Sequence, residues 1–448
     1  MTQCNTDVMR FGRLGRRQIV GDFDGGKLTT DAGALLLRQV DQRIGLTEAL
    51  DACIPDPRNP DLTQHQQPTM LAQRIYAIAL GYEDVNDHHQ LRVDPALQVA
   101  AGVAPQDEDP MASPSTLSRL ENRVDRRACV AMSKVFVEQF IAARAGQEAP
   151  RELILDFDAT DDPIHGNQEG RFFHGYYDQY CYLPLYVFCG DELLVSYLRP
   201  SNIDPSKHCR SIVKLLVDRF RQVWPQVRIV IRADSGFCRW RLMRWCDRHD
   251  VDYILGLARN QVLQRLGASW MQQAEQQFEQ SGQKQRLFGR YPYAAKSWDR
   301  PRDVIVKAER LPEGPNLRFI VTSLAGDPQS LYDRVYCQRG DMENRIKEQQ
   351  LGLFADRTSC RTIQANQFRL LLSSAAYILL QAIRRIALQE TELARAQVTT
   401  LRLKLLKVAA RVRVSARRIV FHLASGCPYQ QLYRTLNHRL EASAMVPT

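Results

Sequence analysis

The chain has 448 residues, two to three times an ordinary domain, which predicts two or three units sharing at least one sizeable core. Hydrophobic residues make up 44% and charged residues 25%, with no low-complexity tract, and this excludes a largely disordered protein. A formal net charge of +10 favours a polyanionic partner such as nucleic acid.

Taken in chain order, residues 29–146 read as helical. Apolar positions recur at Leu36, Leu37, Val40 and Ile44, and again at Met70, Leu71, Ile75 and Ile78. Residues 103–114, with three prolines and three acids, read as a loop, and Ser113–Pro114 as the opening of one long helix reaching Phe140. Beyond Glu152 the texture changes to short β-like runs at 153–158, 182–188 and 192–198. A helix at 207–223, a strand at 227–232, a helix at 238–249 and a strand at 252–257 follow. Three consecutive strands followed by alternating helices and strands predict a mixed α/β sheet with helices on its faces. Residues 261–333, polar and glutamine-rich and then strand-like, read as a β-rich insertion subdomain. Helices follow at 336–350 and 368–388. Between Glu392 and Glu441 there is no acid, while ten Lys and Arg accumulate from Arg395 to Arg439.

The eleven cysteines are odd in number, scattered and never spaced as CxxC, so neither a disulfide framework nor a zinc site is indicated, and a reducing compartment fits. Residues 1–17 lack the apolar core of a signal peptide. The most apolar stretch, 370–386, is broken by Ser373, Ser374, Gln381, Arg384 and Arg385, and no membrane span is expected.

Four carboxylates stand in three contexts that need a reason. In Leu-Asp156-Phe-Asp158-Ala-Thr160 the period of two places Asp156 and Asp158 on one face of a strand with apolar neighbours. The run Val-Arg-Ile-Val-Ile-Arg-Ala-Asp234-Ser-Gly236 is a strand buried on both faces that ends in an acid and a glycine turn, where α/β sheets place ligands. Glu343 lies on a helix that groups Tyr336, Arg339, Glu343, Lys347 and Gln350 on one face. Hard oxygen ligands of this kind suit Mg²⁺, and two such ions about 4 Å apart stabilise both oxygens of an in-line phosphoryl displacement.

The Asp-x-Thr at Asp158–Thr160, the Arg-Ala-Asp-Ser-Gly at Arg232–Gly236 and the Tyr-x2-Arg-x3-Glu at Tyr336–Glu343 resemble the three signature regions of the insertion-sequence DDE transposases. The flavour is that of the insertion-sequence-1380 branch, over roughly residues 150–390. The resemblance implies a ribonuclease H-like catalytic core in two parts, 151–260 and 334–390, interrupted by the insertion subdomain at 261–333. An all-helical DNA-binding domain at 1–150 would precede the core, and a basic DNA-binding region at 391–448 would follow it. It implies Asp158, Asp234 and Glu343 as catalytic residues and ligands of two Mg²⁺ ions, replaceable by Mn²⁺. Implied partners are double-stranded DNA, as terminal inverted repeats and target, and a second copy of the chain. A bacterial cytoplasmic protein acting at the nucleoid is expected.

Which of Asp156 and Asp158 is the ligand is left open by the strand pattern, and the Asp-x-Thr alignment favours Asp158. The family pattern has a lysine where this sequence has Gln350, so Lys347 or Arg345 are the candidates to replace its phosphate contact. Relatives stack an insertion tryptophan on a flipped base, and Trp298, beside Lys296 and Arg300, occupies the corresponding place. Tyr336, Arg339 and Lys347 would meet DNA near the acids. Arg411 and Arg413, alternating with Val412 and Val414, and the nearby Arg417 and Arg418 would neutralise phosphates along a basic strand. The helix after Pro114 presents Ser115, Thr116, Ser118, Arg119 and Arg123 as a groove-reading helix would. Two other readings share these residues: a ribonuclease H-like nuclease that cleaves DNA without joining it, and a catalytically silent DNA-binding relative.

Overall fold

The computed structural model describes residues 8–105 and 110–442; Cys4, the first residues of the 1–17 segment and residues 106–109 of the proline-bearing loop lie outside them. Two compact units emerge. One takes in Met1–Asp51, Asp56–Leu120 and Ala382–Thr448, the other Ala52–Pro55 and Glu121–Gln381.

The second unit is built on an eight-stranded sheet. Its strands are β1 (Glu152–Ala159), β2 (Leu185–Cys189), β3 (Glu192–Tyr197), β4 (Arg228–Ala233), β5 (Asp252–Leu257), β6 (Gln285–Tyr293), β7 (Arg302–Leu311) and β8 (Gly314–Thr322). They lie in the order β6-β7-β8-β5-β4-β1-β2-β3. β4 runs parallel to both β1 and β5, and every other pairing is antiparallel. The sheet is therefore mixed, with its parallel strands at the centre. Those central strands are apolar throughout: Ile229, Val230 and Ile231 of β4 are all buried, as a strand covered on both faces requires.

Helices α1 (Arg126–Ala142), α2 (Cys209–Val223), α3 (Trp240–Arg248), α4 (Gln261–Ser281), α5 (Arg339–Leu353) and α6 (Ile363–Ile386) accompany the sheet. On one face Leu155, Phe157, Ile229 and Ile231 pack with Val213, Val217 and Phe220 of α2 and with Leu242, Met243 and Cys246 of α3. On the other, Ile154, Val230, Ile254 and Ile320 meet Leu331, Tyr332 and Tyr336, which lead into α5. Asp156 and Asp158 share this second face with Ile154.

One detail differs from the sequence reading. The long helix expected from Pro114 is two helices, Pro114–Arg123 and α1, because the Asp125 side chain accepts from Ala128 N at 2.8 Å and caps a new start. The strands of residues 285–322 extend the central sheet, because β8 is hydrogen-bonded to β5. Only α4, packed over them through Leu263 and Trp270, is an addition outside the sheet.

In the first unit the anticipated helices are present, among them Ala34–Ile44 and Gln67–Leu80, and they are preceded by an exposed hairpin of Met9–Leu14 and Arg17–Gly21. A three-stranded sheet joins Arg418–Leu423, Ala410–Ser415 and Leu28–Thr29 in that order. Lys407 lies 2.6 Å from the buried Asp31 carboxylate, and Arg402 donates to the carbonyl of Ala79 at 2.9 Å. No helix among the described residues is long and apolar enough to cross a membrane.

Candidate active site

The carboxyl ends of β1 and β4 lie side by side, because Asp156 is in register with Arg232 and Phe157 with Ala233. Period-two alternation would let either acid of β1 serve the site, and packing separates them. Asp156 is buried, and its two oxygens accept from Nε and Nη2 of Arg232 at 2.5 and 2.7 Å. The third nitrogen of that guanidinium, Nη1, donates to the carbonyl of Val335 at 2.6 Å. Arg232 thus ties two sheet strands to the segment that leads into α5. Asp158, one pleat further along, lies toward the strand end and accepts a backbone hydrogen bond from Ala159 at 2.9 Å.

Asp234 follows β4 directly. Its side chain accepts from Gly236 N at 2.9 Å, closing the tight turn Ser235–Phe237. Gly256 of β5 stands behind that turn: a Cβ there would come within 2.6 Å of the Tyr336 hydroxyl and 2.8 Å of Ser235 N. A bare backbone at this position lets β5, the Asp234 turn and Tyr336 close on one another.

Helix α5 brings the remaining groups. The Arg339 guanidinium lies 2.6 Å from Glu343 one turn on and 3.5 Å from Asp158 across the gap to β1. Burial pushes the Asp158 carboxyl up to about 7; Arg339 opposes that shift, and the like charges of Asp234 and Glu343 add to it. Asp158 therefore feels both other acids, and the Arg339 guanidinium offsets part of their effect. Among the described residues no three His, Cys, Asp or Glu side chains are grouped so as to hold a metal ion as they stand, and Arg339 bridges two of the acids.

The sequence model of the family described as transposase DDE domain group 1 matches residues 11–445, nearly the whole chain. The chain belongs to this family of DDE transposases. No curated protein matches it by sequence. Among solved structures, a piggyBac transposase in a synaptic complex with hairpin DNA is similar at 9% identity and a TM-score of 0.42, over 94% of this chain and 83% of that one.

The transposase keeps the other sequence-predicted residues in varied settings. Lys347 is exposed on α5, whereas Arg345 is held by Asp191 at 2.7 Å and Glu348 at 3.4 Å. Gln350 donates to the carbonyl of Asp161 at 3.0 Å. Trp298 is half-buried, edge-on to Tyr293 with ring centroids 5.4 Å apart, and Arg302 stands over its ring at 5.7 Å. In the first unit, Arg411 and Arg413 point to solvent from a strand whose Val412 is buried, and Arg417 and Arg418 are exposed at the following turn. The sequence reading placed Arg232 in a signature region without giving it a role, and it missed Gly256. A cation inside an otherwise apolar buried strand was the available signal for the first; nothing in the pattern marks the second.

Proposed function

We propose that this transposase cleaves the ends of an insertion sequence and joins them to target DNA, using Asp158, Asp234 and Glu343 as ligands of two divalent metal ions. The observation that carries this reading is the convergence on Asp158, which feels the charges of both Asp234 and Glu343, with Arg339 facing Asp158 and Glu343. The donor set fits the ions: all ligand atoms are hard oxygens, their summed negative charge exceeds what one guanidinium neutralises, and Mg²⁺ needs few protein ligands. When bound, two such ions supply activation of the attacking oxygen and stabilisation of the leaving one.

The protein's own groups do the remaining work. The order β3-β2-β1-β4-β5, a meander continued by two parallel strands, supports a ribonuclease H-like core that presents Asp158 and Asp234 from adjacent central strands. Were Asp158 and Glu343 to hold the ions, the Arg339 guanidinium that now faces both would be available to pair with a phosphate oxygen of the DNA. Lys347, exposed on α5, takes the phosphate contact that Gln350 cannot make. Tyr336 lines the site beside Asp234, and Arg411, Arg413, Arg417 and Arg418 add sequence-independent contacts from the other unit. Trp298 is our candidate to meet a displaced base. The insertion-sequence-1380 branch, Mg²⁺ as the ion, a homodimer acting on two ends, and a cytoplasmic site of action complete the reading.

In cleavage, water attacks phosphorus and the 3′ oxygen leaves as a hydroxyl. In joining, that hydroxyl attacks a target phosphodiester and displaces its 3′ oxygen. The test supplies pre-cleaved ends with a free 3′-hydroxyl and a supercoiled plasmid to the purified protein with Mg²⁺. Joined product is expected. Efficient cleavage of intact ends with no joined product would instead assign a nuclease.

A further inference from the structure

The α3 helix carries arginines and aromatic rings on the side of the sheet opposite Asp158. Its inward residues Leu242, Met243 and Cys246 pack into the core with Leu155 and Phe157, the face that turns away from Asp156 and Asp158. Its outward residues, with Arg210 of α2, surround an open hollow of about 360 Å³ lined by Arg210, Arg241, Arg244, Arg248, Trp240 and Trp245. None of these four arginines has an ion-pair partner among the described residues. The neighbouring acids are already engaged: Asp204 by Arg239 at 2.7 Å, Asp247 by Arg300 and Arg302 at 2.8 Å each, and Asp299 by Arg302 at 3.0 Å, though Asp299 also feels the charge of Arg244.

We propose that this α3 face binds the phosphate backbone of duplex DNA, at a place separate from the three carboxylates. The inference rests on the transposase reading for its choice of polyanion, and on charge complementarity for the rest. Four arginines that line one hollow with no ion-pair partner of their own among the described residues leave an excess of positive charge there, which an extended polyanion offsets. The aromatic rings favour backbone over bases. Arg241 and Arg244 stand over the Trp240 ring at 5.4 and 4.9 Å, and Trp245 is stacked on His249 at 4.1 Å, so one ring is covered by guanidinium groups and the other by an imidazole rather than open to a base. His249 is fixed in turn through Nδ1, 2.7 Å from the carbonyl of Trp245. Guanidinium groups held in place by ring contacts suit paired contacts to phosphate oxygens. Such a surface would hold DNA without reading its sequence.

The test is fluorescence anisotropy of a labelled random-sequence duplex with the full-length protein in chelator, over a salt series. The triple variant Arg241→Ala/Arg244→Ala/Arg248→Ala should bind more weakly, and its log–log salt slope should flatten by about 0.9 for each phosphate it no longer neutralises, roughly 2.7 in all. The matching triple lysine variant keeps the charge and should retain most of both. An unchanged slope in the alanine variant overturns the proposal, and so does a lysine variant as impaired as the alanine one. A preserved DNA slope with lost binding to polyglutamate would assign the face to an acidic protein and overturn it as well. Asp234→Asn, assayed alongside for cleavage, reports on the catalytic reading alone: if it still cleaves, that reading fails while the α3 result stands.

Discussion

Asp156 gives both of its carboxylate oxygens to Arg232, at 2.5 and 2.7 Å, in a setting where both side chains are buried. The pair accounts for one of the two acids of β1 without calling on the reaction. Removing one partner of such a pair strands a buried charge, so Asp156→Ala should cost about 3–5 kcal/mol of stability. Asp158→Asn relieves repulsion and should leave the unfolding transition where it is or raise it, while abolishing metal-dependent cleavage. Denaturant melts and a cleavage assay on both variants check the division. A stable Asp156 variant without activity would reverse the two roles.

The Asp158 carboxyl, raised to about 7 chiefly by burial, makes stability depend on pH without metal. An acid whose folded value exceeds its unfolded one, near 3.9, binds more protons when folded between the two. Its stabilising contribution is complete below about pH 4 and is lost as pH rises through about 7. In chelator, the melting temperature should fall across that window, and Asp158→Asn should remove this component of the slope. Mg²⁺ should restore stability most strongly above pH 7, where the acid is ionised. Melting curves at stepped pH measure both effects; identical slopes in the two proteins would remove Asp158 as the titrating group.

Gly256→Ala should reduce cleavage sharply, because its Cβ would press on Ser235 N at 2.8 Å as well as on the Tyr336 hydroxyl at 2.6 Å. Overpacking of this kind typically costs about 1–3 kcal/mol, and here it displaces the Asp234 turn. Removing the hydroxyl with Tyr336→Phe should not rescue Gly256→Ala, since the backbone contact remains. Full rescue would show that Tyr336 alone sets the requirement for glycine. Cleavage rates of the two single variants and the double variant decide it.

Replacing Arg411, Arg413, Arg417 and Arg418 together by alanine should weaken binding to specific and random DNA alike, with the salt slope falling by about 0.9 for each phosphate left without its arginine. All four are exposed, so the fold should survive, which circular dichroism can verify. No change in affinity or slope would leave them a solvated edge that discourages strand pairing.

The central strands were legible in the sequence because burial on both faces writes a continuous apolar run, as in Ile229–Ile231, and because acids at the ends of such runs break the pattern visibly. The choice between Asp156 and Asp158 was not, since both share a face and only the approach of Arg232 separates them. Strand partnership left no trace either: residues 314–322 read as strand-like, yet nothing in them announces pairing with β5. The helix break at Asp125 was within reach, because an aspartate N-cap is a local signal. The bridging of Asp158 and Glu343 by Arg339 depends on how α5 lies against β1, which helical periodicity does not fix.

The first unit is closed by its latest segments. Among the described residues, residues 28–29 gain a strand partner only from residues 410–411, the buried Asp31 finds its cation in Lys407, and Gly33 lies so near Leu405 and Leu406 that a Cβ would come within 2.3 Å of each. Residues 121–381 lie between these partners in the chain and form their own core. During synthesis, which proceeds from the N-terminus with domains folding as units, the carboxylate-bearing unit can be finished while the earlier segments still wait for theirs. A ribosome that stops short of residue 400 would release an assembled sheet with all three acids attached to an open first unit, so a truncated product would differ from the full chain first in its first unit rather than at the three acids.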